Sequence, residues 1–492
     1  MADVSLVDVS MRDGNQSLWG ATGLNTAQML QIAGQTDRVG FRAIDFTSSS
    51  HMAVAVRYFQ NNPWERIRRV ASAMPRTPLQ FITTGLRFIA WQQADPEFMR
   101  LVYRRLQANG IRRFVMLDPM HDADAVIEAA RIVRQEGNAE IMGALTFTLS
   151  EVHTDQFYAD FARKICTSPD IDLIYIKDPG GLLSPERVRT LAPAVKAAIG
   201  NRPLEIHAHC TIGYGPLSSL AAADLGIIDA IHVGIGPLGE GSSLPEASRM
   251  VANLRNAGHN VNVDDAALAR VSDYWWRLAK AEGLPPGEPQ AFDSSFLRHQ
   301  IAGGVMTTTR RQLEELSLGD RFDAVVAETE RVRAELGHPI MVTPFPQMVM
   351  SQALFNVIGE RRYAQVSDQV LRYVMGKFGR PTSAIDPAVE AAILDRPRAK
   401  EIAEEAMFPE YADLRRKFGV HMDDEEFLLR AVMPEDQVDA MLGAGRSRST
   451  YTPEAAPLFQ LLKQLAARPG ARDIVVERPG LRIALHGGAH VA

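Results

Sequence analysis

The chain has 492 residues, 46% of them hydrophobic and 23% charged, with a formal net charge of −6 at pH 7. That supports a large core with room for a second domain, and it offers no basic excess for nucleic acid and no run of about 18 apolar residues for a membrane span. Two cysteines, Cys166 and Cys210, cannot build a disulfide framework, and no cationic and then apolar leader opens the sequence, so a cytoplasmic protein is expected.

In chain order, short β-rich runs alternate with longer helical stretches over the first 235 residues or so. Strands are predicted at Val4–Val9, Ala43–Thr47, Leu79–Thr83, Arg113–Leu117, Glu140–Phe147, Leu173–Lys177, Leu204–His207 and Ile228–Val233. Helices are predicted between them at Thr26–Asp37, Pro96–Ala108, Asp122–Glu136, Ser184–Ile199 and Pro216–Ala223. Eight strand–helix units predict an α/β fold, a (β/α)8 TIM barrel of the usual size. The alternative, a doubly wound open sheet, lacks a Gly-x-Gly-x-x-Gly after the first strand. Beyond Val261 the pattern turns helical, with breaks at Pro285-Pro286, Pro344 to Pro346 and Gly379 to Pro381. The expected domains are a barrel over 1–283, a mainly α-helical domain over 284–440, and a linker and tail over 441–492. Ile474–Glu477 and Leu481–Ala484, around Pro479-Gly480, predict a terminal hairpin.

In such a barrel the reactive groups stand at the carboxyl ends of the strands. The first strand ends in DVSMRDGNQSL (residues 8–18), which crowds Arg12, Asp13, Asn15 and Gln16. The sixth ends in Lys177-Asp178, one of only eight lysines in the chain, and the seventh carries His207 and His209. Histidines two apart on a strand point to the same face. They can be core residues satisfied by hydrogen bonds; with a carboxylate such as Asp13 from another strand they form a shell for Zn²⁺, Mn²⁺ or Co²⁺. A lysine ending an apolar run has two readings. It pairs with Asp13 or Asp178, or its neutral amine takes up CO₂ to become a carbamate oxygen ligand.

These motifs resemble the carboxyltransferase family of pyruvate carboxylase and oxaloacetate decarboxylase, in the wider group of metal-dependent barrels with 3-hydroxy-3-methylglutaryl-CoA lyase and isopropylmalate synthase. Residues 8–18 resemble its Asp-Thr-Thr-x-Arg-Asp-x-His-Gln-Ser, and Asn62 to Arg66 its Asp-Pro-Trp-Glu-Arg. Ile176 to Leu183, His207 to Gly213 and His299 to Thr307 are similar to further family signatures, and Val342-Thr-Pro344 also fits. The likeness covers roughly residues 4 to 435. It implies Asp13, His207, His209 and a carbamylated Lys177 as metal ligands, with Arg12 and Lys177 in the catalytic set. It implies Thr307 as proton shuttle, although Thr307 to Thr309 also suits a helix N-terminus. Gln16, Thr84, Arg87 and Asp118 make up the expected substrate-binding set.

Four positions depart from the family pattern. Cys210 stands for its Asp, and Asn15 for its His. Thr84 stands for the arginine that holds a 2-oxo acid's carboxylate, with Arg87 as a candidate substitute, and Thr47 to Ser50 replaces Trp-Gly-Gly. A buried thiol at 210 reads as a small hydrophobe. The resemblance implies carboxyl transfer between carboxybiotin and a small 2-oxo acid, pyruvate or oxaloacetate-like, with a divalent metal. None of the eight lysines lies in the Ala-Met-Lys-Met context of a biotin carrier. A biotin carrier protein and a biotin carboxylase subunit are therefore the expected partners, and a homodimer the expected assembly. The alternatives are a biotin-independent lyase, aldolase or decarboxylase, and a non-catalytic scaffold subunit.

Overall fold

Inward and outward positions alternate along the barrel strands, interrupted by register shifts between the second and third and between the third and fourth strands, and the reason is readable in the residues. On β7 (Leu204–Ala208), Leu204 and Ile206 join the large core beneath the surrounding helices, leaving the intervening Glu205 and His207 to face the interior. The computed structural model describes residues 1–453 except 91, 302, 316 and 406–407, and beyond them 458, 461–462, 464–465, 468, 473–478 and 481–486. The side chains of 303–305, 307–308, 478, 481 and 486 are outside that description.

The other strands are β1 (Ser5–Asp8), β2 (Ala43–Ser48), β3 (Leu79–Thr83), β4 (Ile111–Met116), β5 (Glu140–Thr146), β6 (Leu173–Asp178) and β8 (Ala230–Val233). Each runs parallel to the next, and β8 closes on β1 through Leu6 opposite Ile231 and Asp8 opposite Val233. The closed ring rules out the open sheet. Helix starts follow local chemistry. Asn25 and Gln28 form a reciprocal cap, and Asn62, Asp95 and Ser184 each cap a helix with proline at its first position.

The region after the barrel contributes to two cores. Helices from Gly303 to Ala403 enclose Leu313, Val325, Val332, Phe345, Val349, Leu371 and Ile393, with Met120 reaching in from the barrel rim. Helices Tyr411–Phe418, Asp424–Val432 and Glu435–Ala444 instead return to the barrel, and Phe427, Leu428 and Val438 join its core. Glu425 fastens this return, accepting from Arg68 at 2.7 Å, Arg105 at 2.7 Å and Asn109 at 2.8 Å. The stretch expected as one helical domain is thus divided by what it packs against. Asp473–Arg478 and Leu481–His486 pair antiparallel as the expected hairpin, whose Pro479-Gly480 turn lies outside the described residues.

Candidate active site

The turn after β1 sets the site. Asp8 accepts from the Ser10 backbone N–H at 2.8 Å, and Ser10 Oγ accepts from the Ile235 N–H at 2.8 Å, so the turn is tied to the loop after β8. A Cβ on Gly14 would meet the Leu238 carbonyl oxygen at 2.7 Å, which is why a glycine follows Arg12-Asp13. The turn buries Arg12 and Asp13. Arg12 donates through Nε to Asp45 Oδ2 at 2.9 Å, a second bond runs from its Nη2 to the same oxygen, and Nη1 stands 2.9 Å from Asp13 Oδ2.

Asp13 meets three further nitrogens. Its Oδ2 lies 3.1 Å from Lys177 Nζ and 3.2 Å from His207 Nε2, and its Oδ1 lies 3.5 Å from His209 Nε2. The two Nε2 atoms are 3.1 Å apart. One ligand atom from each of Asp13, His207 and His209 falls within 4.8 Å of the others. Burial opposes the charge on Asp13, but Arg12, Lys177 and His209 hold its carboxyl well below the ordinary value. Burial and the Lys177 amine push His207 far down, so its imidazole is neutral. Burial also lowers the Lys177 amine, against the pull of Asp13. The His209 Nδ1–H donates to the Ser242 carbonyl at 2.7 Å, which leaves the Nε2 lone pair facing Asp13. An ionised carboxylate and two imidazole nitrogens converging on one point are the donor set a divalent ion requires, so these residues fit a metal.

Above the cluster a cavity of about 480 Å³ is lined by Arg12, Asp13, Gln16, Lys177 and His209 from the barrel and by Thr309, Gln312, Met341, Val342 and Gln347 from the helical region. That volume suits a small-molecule site. The expected residues Arg12, Asp13, Gln16, Lys177, His207 and His209 therefore come together. Thr84, Arg87 and Asp118 form a separate group, and none of them is among the residues lining the cavity. Arg87 donates to the Thr84 carbonyl at 3.3 Å and to the Phe378 carbonyl at 3.0 Å, with Asp118 at 3.9 Å, so it joins the barrel rim to the helical region. Asp118 accepts from the Asp122 N–H at 2.7 Å, and burial raises its carboxyl to about 6. Thr307 falls within the helix Gly303–Glu315, and its side chain is outside the described residues. Cys210 is buried, and burial with the nearby Glu240 pushes its thiol far above the ordinary range, in keeping with a small inert side chain.

Residues missed in the sequence are Asp45, Glu205 and His232 inside the barrel, and Thr309, Gln312 and Gln347 at its mouth. The first three had a signal: each is a buried polar residue on a largely apolar strand. The last three had none.

The HMGL-like family profile matches residues 3–274, and a conserved carboxylase domain profile matches 296–461. One of the pyruvate carboxylase subunits of Methanothermobacter thermautotrophicus is 31% identical over 440 residues, covering 88% of this chain and 76% of that one. The 2-oxoglutarate carboxylase large subunit of Hydrogenobacter thermophilus is 28% identical over 490 residues, covering 96% of this chain and 74% of that one. The carboxyl transferase domain of Rhizobium etli pyruvate carboxylase, solved with pyruvate, shares the fold at a TM-score of 0.82 and 20% identity, over 99% of this chain and 84% of that one. The chain belongs to the HMGL-like family and, within it, to the biotin-dependent carboxyltransferases of pyruvate carboxylase type.

Proposed function

We propose that the chain is the carboxyltransferase subunit of a biotin-dependent carboxylase or decarboxylase, acting on a small 2-oxo acid such as pyruvate or oxaloacetate. The observation that carries this reading is the convergence of Asp13, Lys177, His207 and His209 beneath a polar cavity shared by barrel and helical region. In the carboxylating direction the C–N bond of carboxybiotin breaks, a C–C bond forms at the substrate's methyl carbon, and the methyl proton ends on the biotin nitrogen. No electrons are gained or lost overall.

Asp13, His207 and His209 would hold a divalent ion (Zn²⁺, Mn²⁺ or Co²⁺), with a Lys177 carbamate as a further ligand. When bound, the ion supplies Lewis-acid polarisation of the substrate carbonyl. Arg12 and Gln16 line the same cavity, where Arg12 offers positive charge to a developing enolate and Gln16 a neutral amide. Asp45 holds the Arg12 guanidinium in place by accepting from both Nε and Nη2. Thr307 is assigned the proton shuttle: a hydroxyl moves one proton between carbon and nitrogen without adding charge to a dry pocket. Thr307→Ala then keeps its metal while losing transfer.

The carrier biotin and the biotin carboxylase are proposed to come from partner subunits, with a homodimer as the working assembly and the cytoplasm as its location. Among the described residues no helix is long and apolar enough to cross a membrane. The decisive experiment follows oxaloacetate turnover by the metal-loaded protein with and without free biotin. Turnover that rises with biotin supports the carboxyltransferase reading. Turnover that needs metal yet is indifferent to biotin, together with a blank streptavidin probe of the purified complex, moves the assignment to a biotin-independent decarboxylase.

A further inference from the structure

Below the metal-ligand cluster, toward the amino-terminal end of the barrel, runs a line of buried polar groups that the reaction as described does not use. His207 Nδ1 lies 3.0 Å from His232 Nδ1, and His232 Nε2 lies 3.1 Å from Glu205 Oε2. His232 and Glu205 are within 1% of full burial. The other carboxylate oxygen, Oε1, accepts from Arg113 at 2.6 Å and from Arg42 at 2.8 Å, which leaves Oε2 to His232. The Tyr175 ring stacks on His232 at 5.5 Å and stands edge-on to His207 at 6.0 Å, so both imidazole planes are fixed.

Donors and acceptors in this line have one consistent order. A carboxylate paired with two arginines only accepts, so His232 carries its proton on Nε2 and presents a bare Nδ1. His207 must then donate from Nδ1–H, which frees Nε2 as a lone pair. Lys177 Nζ, 2.8 Å from His207 Nε2, fits the same arrangement when its amine donates. We propose that Glu205 and His232 are positioning residues for the metal centre: they lock His207 in the tautomer whose Nε2 faces Asp13 and His209. The Ser242 carbonyl does the same for His209 with a single bond. For His207, whose Nδ1 points into the barrel interior, two side chains are needed to end the chain on a charge that cannot donate. Partners of this kind hold the ring orientation of a metal-bound histidine, and losing one weakens metal binding on the order of 10- to 100-fold.

This inference rests on the metal reading of the site, and the experiment separates the two. Zn²⁺ and Co²⁺ are titrated into the metal-stripped protein, and the Co²⁺ absorption spectrum is recorded, for the parent, His232→Leu, His232→Asn and Glu205→Gln. Failure of the parent to bind would remove the metal reading itself. Given a binding parent, His232→Leu is expected to bind at least about 10-fold more weakly with an altered Co²⁺ spectrum, since its apolar side chain accepts no hydrogen bond. His232→Asn, whose amide oxygen can take the place of Nδ1, is expected to stay within a few-fold of the parent. Glu205→Gln keeps the packing if the leucine variant fails to fold. Its amide lets His232 adopt either tautomer, so it too is expected to bind several-fold more weakly. Parent-like affinity in His232→Leu or Glu205→Gln, or equal loss in the asparagine and leucine variants, would overturn the proposal.

Discussion

Lys177 and His207 are direct partners across the β6–β7 ladder, and this register brings Lys177 Nζ to 2.8 Å from His207 Nε2. The same amine lies 3.1 Å from Asp13 Oδ2. An ion pair to Asp13 is thus formed, while burial favours the neutral amine that reacts with CO₂. Lys177→Arg distinguishes the two roles, because a guanidinium keeps the charge and cannot form a carbamate. The expected outcome is a loss of activity on the order of 100-fold, with metal affinity no longer rising on addition of bicarbonate. An active Lys177→Arg protein would leave Lys177 as an ion-pair residue only.

His207→Ala and His209→Ala should each release the metal and abolish turnover together. Both residues are buried and supply one nitrogen to a cluster whose third member is a single carboxylate. Elemental analysis of the purified variants checks this, and full metal content in either variant would remove that histidine from the ligand set.

Asp8 should make stability depend on pH in an unusual sense. Burial, with a smaller contribution from Asp45, raises its carboxyl from 3.8 to about 7, although Ser10 donates to it. Between these values the folded chain holds a proton that the unfolded chain has released, so this residue's contribution falls as pH rises from about 4 to 7. Each pKa unit corresponds to about 1.4 kcal/mol. Asp8→Asn removes the titration and should gain stability relative to the parent between pH 4 and 7, by up to a few kcal/mol. Urea unfolding at pH 5 and pH 8 measures it, and parallel profiles for the two proteins would contradict the assignment.

Glu425→Ala should loosen the helical return without touching the cavity. One buried carboxylate accepts from Arg68, Arg105 and Asn109, and the backbone carbonyl of Glu425 accepts from Trp64 Nε1 at 3.2 Å. Loss of the carboxylate is expected to cost about 1–3 kcal/mol, discounted for the exposure of Arg68. Metal affinity should remain at the parental value, so unfolding and metal titration run side by side give the answer.

Much of the site was legible in the sequence because strand geometry is regular. Asp13 stands in the turn just after the first strand, and the spacing of His207 and His209 fixes their common face whatever the rest of the chain does. Arg87 was a poorer inference. It lies four residues beyond the end of β3, where the period of two no longer applies, and its direction is set by Phe378 and Asp118, distant in sequence. The same limit hid Gln312 and Gln347, whose helices reach the barrel mouth only through the packing of the second core.

By itself the sequence determined the eight strand–helix units, the inward positions of each strand and the caps that start the helices, since these depend on neighbours a few residues away. Only the tertiary structure decided that β8 closes on β1, and that closure sets Asp13 opposite two histidines some two hundred residues later. It also decided that His232 stands between Glu205 and His207, and that residues 411–444 return to the barrel while 301–402 build a core of their own. Those outcomes come from the simultaneous burial of apolar faces and pairing of buried charges across the whole chain, which no local pattern encodes.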